Sequence, residues 1–135
     1  MVQDKNLEAM ISILKQAKIP FAYLFGSRAE GTAYETSDYD LAIYAEEMSL
    51  DQLTELREDL SVLVYPLEVD LILLNKASIM LRFEIISRGK TLYYEDEEQM
   101  TDFEEIIIRD YLDFEPFYRK FIEELLEVEG EAYGE

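Results

Sequence analysis

Between Gly26 and Asp40 the chain reads GSRAEGTAYETSDYD, a Gly-Ser pair separated by ten residues from an Asp-x-Asp pair. In an extended strand, residues two apart share a face. Asp38 and Asp40 therefore project together, while Tyr39 turns to the other side with Leu41 and Ile43. Carboxylates about 7 Å apart along a strand can lean inward and share two divalent ions ~3.5–4 Å from each other. Asp70, in LEVDLILL, offers a third carboxylate from a later apolar run. Three such groups repel one another unless a hard cation such as Mg²⁺ neutralises them, and Mg²⁺ usually shares its shell with substrate phosphates. Gly26 permits close backbone approach to a phosphate, and Ser27 adds a hydroxyl and an N–H at the expected start of a helix. A phosphate cradle beside three carboxylates predicts metal-dependent phosphoryl or nucleotidyl transfer. Arg28, adjacent to Ser27, is the favoured candidate for steadying phosphates, ahead of Arg82 and Arg88.

These groups need elements to hold them. Leu7, Met10, Ile11, Leu14 and Ala17 form a helical stripe that Asn6 or Asp4 can cap and Pro20 closes. Phe21–Phe25 reads as a buried strand ending at Gly26-Ser27, followed by a polar stretch from Arg28 to Ser37 and a second strand from about Asp38 to Ala45. Ser49 and Gln52 have capping-box spacing ahead of a stripe through Leu50, Leu53, Leu56 and Leu60. A third strand is expected over Leu67–Leu74. Asn75 would then cap a helix running through Ile86, with Gly89 as its left-handed terminator. Thr91–Tyr94 reads as a further strand. From about residue 101 an apolar stripe through Phe103, Ile107, Tyr111, Phe114, Tyr118, Phe121 and Leu125 has helical spacing. It is expected to pack as core, with Pro116 kinking or splitting the helix. The alternation predicts an α+β fold, a small mixed β-sheet flanked by helices, in a single domain spanning residues 1–135.

Composition narrows the chemistry. The 135 residues include neither Cys nor His. That removes thiolate nucleophiles, zinc-thiolate sites, imidazole ligands and Ser-His-Asp triads, leaving carboxylates, hydroxyls, Lys, Arg and hard metal ions. The formal net charge of -19 repels a nucleic-acid polymer and attracts a basic protein partner. Beyond residue 90 there are 16 acidic and 3 basic residues, so the acidic excess concentrates in the tail. That tail reads most simply as a solvated face, with docking of a partner as the alternative. No apolar run approaches the ~18 residues of a membrane span, and the start lacks a signal-peptide pattern, so a cytoplasmic location is expected.

Gly-Ser, ten residues, Asp-x-Asp and a third acidic residue on a later strand resemble the signature of the DNA polymerase β-type nucleotidyltransferase superfamily. Every position is filled here by Gly26, Ser27, Asp38, Asp40 and Asp70. With FGSRAEG, LRFEIISRGKTLYYED and RDYLDFEPFYRKFIEELL, the chain is similar over roughly residues 5–127 to the minimal nucleotidyltransferase antitoxins. These MntA-like proteins pair with HEPN ribonuclease toxins. One departure is Glu30, where relatives often carry Arg. The resemblance implies a polymerase β-like fold and transfer of AMP from ATP to a tyrosine hydroxyl of a cognate HEPN toxin, in a hetero-oligomer with that toxin. In that scheme Asp38, Asp40 and Asp70 hold two Mg²⁺ ions, Asp70 helps deprotonate the attacking oxygen, and Gly26 and Ser27 hold the β- and γ-phosphates. Two other readings use the same residues: a small-molecule, aminoglycoside-type nucleotidyltransferase, and a non-catalytic antitoxin that neutralises its toxin by binding.

Overall fold

The computed structural model describes residues 4–133, with side chains through residue 127. In chain order the elements are α1 (Lys5–Gln16), β1 (Phe21–Phe25), α2 (Ser27–Glu30), β2 (Tyr39–Ile43), α3 (Leu50–Val64) and β3 (Val69–Leu73). A 3₁₀ turn (Leu74–Lys76), α4 (Ile79–Arg88), β4 (Lys90–Tyr94) and α5 (Glu97–Tyr133) complete the fold. The sheet has the order β3-β2-β1-β4. Strand β1 pairs antiparallel with both β2 and β4, whereas β2 and β3 run parallel, so the sheet is mixed as expected.

Both faces of the sheet are covered. On one side Ala22, Leu24, Leu41 and Ile43 pack against Leu7, Met10 and Leu14 of α1 and Leu56, Leu60 and Val64 of α3. On the other, Phe21, Tyr23 and Ala42 meet Ile85 of α4 and Met100 of α5. Each fully buried Leu or Ile contributes about 1.5–3 kcal/mol, so two such layers hold the central strands firmly. Phe21, Tyr44 and Phe103 form a cluster with ring centroids 5.0–5.4 Å apart, which fastens α5 to the sheet.

Local signals set several boundaries. Asp4 caps α1, its carboxylate accepting from the Asn6 N–H at 2.8 Å. The Ser49/Gln52 capping box opens α3 in both directions. Leu50, however, is 76% exposed instead of joining that stripe. Strands β2 and β3 are shorter than the apolar runs that announced them. Asn75 does not cap α4; Ser78 does, its hydroxyl accepting from the Leu81 N–H. Asn75 instead donates to and accepts from the backbone of Ala45, tying the end of β3 to the end of β2. Gly89 is not left-handed, having φ -77. Glycine is needed there because a Cβ would strike the carbonyls of Ile85 and Leu24. Helix α5 begins at Glu97 and runs unbroken through Pro116. The bond that Pro116 forgoes is to the Leu112 carbonyl, on an exposed stretch open to solvent. Among the described residues no helix is long and apolar enough to cross a membrane.

Candidate active site

The sheet register brings the acidic residues together. Asp40 pairs directly with Asp70 across the parallel β2–β3 ladder and with Phe25 across β1–β2, so both carboxylates lie at the end of the sheet where β1 gives way to Gly26. Alternation along the strands puts Asp40 and Asp70 on the face of Ala42 and Ile72, the side covered by α4 and α5. Asp38 immediately precedes β2, and its Oδ1 accepts from the Glu68 N–H at 3.0 Å. That bond ties Asp38 to the residues leading into Asp70. Asp70 and Asp38 are exposed, while Asp40 is half-buried.

Gly26 completes the arrangement. It has φ 74, which only glycine adopts without strain, and a Cβ at this position would collide with the Asp40 carboxylate. The backbone therefore passes against Asp40 as closely as a residue without a side chain allows. Gly26 caps α2, and its carbonyl accepts from the N–H groups of Ala29 and Glu30. The N–H groups of Ser27 and Arg28, ahead of those bonds, have no partner within the helix and are available to an anion. Beside them a cleft of about 180 Å³ opens between α4 and the Gly26 turn, lined by Phe25, Leu81, Ile85 and Arg88. Glu30 stands 4.0 Å from Arg88 at its rim, both side chains well exposed.

Electrostatics agree with this crowding. Burial pushes the Asp40 carboxyl above the usual carboxylate range, and the charges of Asp70 and Asp38 add to the shift. Among the described residues no set of acidic side chains is drawn together so as to hold a metal ion as it stands. The donors nonetheless suit Mg²⁺. All are hard carboxylate oxygens, their mutual repulsion falls on Asp40, and a ligand's phosphates can complete the shell.

Arg28 lies elsewhere than the sequence reading put it. Its guanidinium donates to the Ser37 carbonyl at 2.7 and 3.1 Å and to the Glu35 carbonyl at 3.3 Å, and lies 3.9 Å above the Tyr39 ring. Tyr39 points into the core as expected, on the face opposite Asp40, so Arg28 is drawn away from the carboxylates. The reason is a network that spacing does not announce. Tyr39 Oη donates to Asp4 Oδ2 at 2.8 Å, and Asp4 also faces Arg28 at 4.0 Å. Arg28 thus splints the loop between α2 and Asp38. Local pattern shows only the capping role of Asp4, because its other partners lie 24 and 35 positions away along the chain.

Residues 8–98 match the polymerase beta nucleotidyltransferase family. The protein adenylyltransferase MntA of Shewanella oneidensis is 33% identical over 96 residues, covering 68% of each chain. A crystal structure of a toxin–antitoxin with AMP-PNP superposes with a TM-score of 0.79 at 27% identity, covering 90% of this chain and 98% of the other. The fold also recurs in a structure of the tri-AMPylated Shewanella oneidensis HEPN toxin in complex with MNT antitoxin. There the TM-score is 0.76 at 24% identity, over 93% of this chain and 99% of that one. With its Gly-Ser turn set against paired carboxylates and a match over most of its length, this chain belongs to the polymerase beta nucleotidyltransferase family, on its MntA-like branch.

Proposed function

We propose that this protein transfers AMP from ATP to a tyrosine hydroxyl of a HEPN ribonuclease toxin and thereby acts as that toxin's antitoxin in the cytoplasm. The observation that carries the reading is the register pair Asp40–Asp70 with Gly26 packed against Asp40. It joins a phosphate-approach turn to a carboxylate cluster at one sheet end. The relative in Shewanella oneidensis is a protein adenylyltransferase, and a chain of the same fold was crystallised as a toxin–antitoxin with AMP-PNP. Both support AMP transfer, as opposed to any other use of the cluster.

In this reading the N–H groups of Ser27 and Arg28, with the Ser27 hydroxyl, hold the β- and γ-phosphates. The α-phosphorus then faces Asp38 and Asp40. The tyrosine oxygen attacks that phosphorus, the bond to the bridging oxygen of the β-phosphate breaks, and pyrophosphate leaves. Asp70, exposed beside Asp40, accepts the phenolic proton in this scheme. Asp38, Asp40 and Asp70 would hold Mg²⁺, which when bound neutralises charge on the phosphates and the departing pyrophosphate. Arg28 keeps the Gly31–Ser37 loop in place and so positions Asp38. The test uses ATP labelled at the α- or the γ-phosphate with the partner toxin. Label from the α-position alone should reach the toxin, EDTA should abolish the transfer, and added Mg²⁺ should restore it. Transfer of γ-label, or transfer undiminished by EDTA, would overturn the scheme.

A further inference from the structure

The packing of α5 ends at Tyr111. Up to that point the helix is anchored: Phe103 closes on Phe21 and Tyr44, Ile107 is fully buried, and Tyr111 stacks on Phe83 of α4 at 3.8 Å. Beyond Tyr111 the apolar sequence continues with growing exposure: Phe114 and Tyr118 stack on each other at 36% and 37% exposed, and Phe121 and Leu126 are 59% exposed. Phe114, Tyr118, Phe121 and Leu125 prolong the seam at alternating spacings of four and three, and Phe117 beside it is 77% exposed. From Tyr111 to Glu127 the helix extends about 24 Å. Spacing of this kind is that of a helix laid against another helix or into a groove. An exposed apolar surface this large marks an interaction site.

The placement of this face is informative. Helix α5 starts just after Tyr94, which pairs with Phe21 at the sheet end opposite the carboxylates. Phe103 then meets Phe21, and Glu104 accepts from Tyr23 Oη at 2.6 Å, so the helix advances along β1 toward the Asp40 end. It does so on the face of Phe21, Tyr23 and Ala42, which Asp40 and Asp70 share by alternation. The free half of the helix therefore leads off on the carboxylates' side of the sheet. Charge selects the occupant. Residues 110–127 carry six carboxylates and two cations, on a chain of net charge -19. A second copy would be repelled, and a basic surface would be attracted.

We propose that the face of α5 from Leu112 to Leu126 is the docking surface for the acceptor protein. That protein would present an apolar helix flanked by Lys and Arg and would thereby be brought to the carboxylate site. The acceptor's identity rests on the transfer reading above; the surface itself does not. The probe is a HEPN ribonuclease toxin, the acceptor that the transfer reading names, measured against this protein and two variants. Phe117→Glu combined with Phe121→Glu alters only exposed positions. It should weaken binding at least 100-fold and raise the KM for the acceptor, leaving kcat at saturating acceptor and the affinity for ATP within about twofold. Asp38→Asn should dock like the parent and transfer nothing. Binding of the double variant within twofold of the parent would overturn the proposal. So would a dimer of this chain that the double variant dissociates without loss of acceptor binding, since it would assign the face to a second copy. Docking lost in the double variant, with no transfer by the parent protein, would uphold the surface and defeat the transfer reading.

Discussion

Asp40 carries the conflict on which the site depends. It is half-buried against Gly26, and burial together with Asp70 and Asp38 disfavours its charged form. A carboxyl whose folded pKa lies above its unfolded value favours the folded state while protonated, and that advantage disappears as the pH rises through the folded value. In the absence of metal and nucleotide, Asp40→Asn should therefore raise the Tm at pH 7 and flatten its fall as the pH rises above the ordinary carboxylate range. The same variant should lower AMP transfer by about 10³-fold or more, because the amide no longer binds a cation as a carboxylate does. Thermal melts with and without the substitution check the first half and label transfer the second; a lower Tm would contradict the repulsion. Arg28 makes the opposite case. Arg28→Lys keeps the charge but loses the fork that grips Ser37 and Glu35, and should cost about 1–2 kcal/mol of stability in denaturant titrations. Unchanged stability with a raised KM for ATP would return Arg28 to a phosphate-binding role. The carboxylates were legible in the sequence because Asp-x-Asp in a strand and an acid amid an apolar run are local patterns. The contacts of the Arg28 guanidinium were not legible, because Ser37, Tyr39 and Asp4 are brought to it by tertiary packing and not by adjacency.

The elements matter by what each fixes. Strand β1 lies between β2 and β4 and delivers Gly26 to Asp40; β3 delivers Asp70; α5 is pinned by its first four turns and free thereafter. Two exposed-face and buried-face substitutions on that one helix separate its halves. Ile107→Ala, at a fully buried position, should cost about 2–5 kcal/mol. Phe117→Ala, at a position 77% exposed, should stay within about 0.5 kcal/mol in the same urea titration. A large loss at Phe117 would mean that the distal seam is packed in solution. Apart from the short α2 and the 3₁₀ turn after β3, element types and order followed from periodicity and from the Gly and Pro breaks. The errors arose where one local signal had two uses. Asn75 has the chemistry of a helix cap, yet the backbone of Ala45, just past the neighbouring strand, offered it two bonds. Pro116 should break a helix, yet on an exposed stretch the carbonyl it leaves unbonded is open to solvent. The seam of α5 has the spacing of a core helix, and periodicity alone does not reveal how far the sheet beneath it extends.

At the scale of the whole molecule, charge and fold act together. A net charge of -19 and a helix whose second half offers an acidic, apolar face suit a basic ribonuclease, whose own surface must attract RNA. Long-range attraction weakens as the Debye length falls from about 10 Å at 0.1 M salt to about 3 Å at 1 M. In stopped-flow mixing of this protein with its toxin the association rate should therefore fall steeply over that range, with dissociation changing less. A flat association rate would assign docking to apolar contact alone. The mixed sheet with helices on both faces was legible from the alternation of elements, and the family from five residues, because that chemistry requires a fixed arrangement along the chain. Which surface receives the partner was not legible, since it depends on where packing stops. The central claim is that the carboxylates transfer AMP and that this transfer disarms the partner. The most direct measurement is the intact mass of the toxin purified after co-expression with this protein or with its Asp38→Asn variant, each complex first shown to form. The toxin should be heavier by whole AMP units on tyrosine with the parent protein, and unmodified and active with the variant. Toxin of unmodified mass that is equally silenced by both would contradict it.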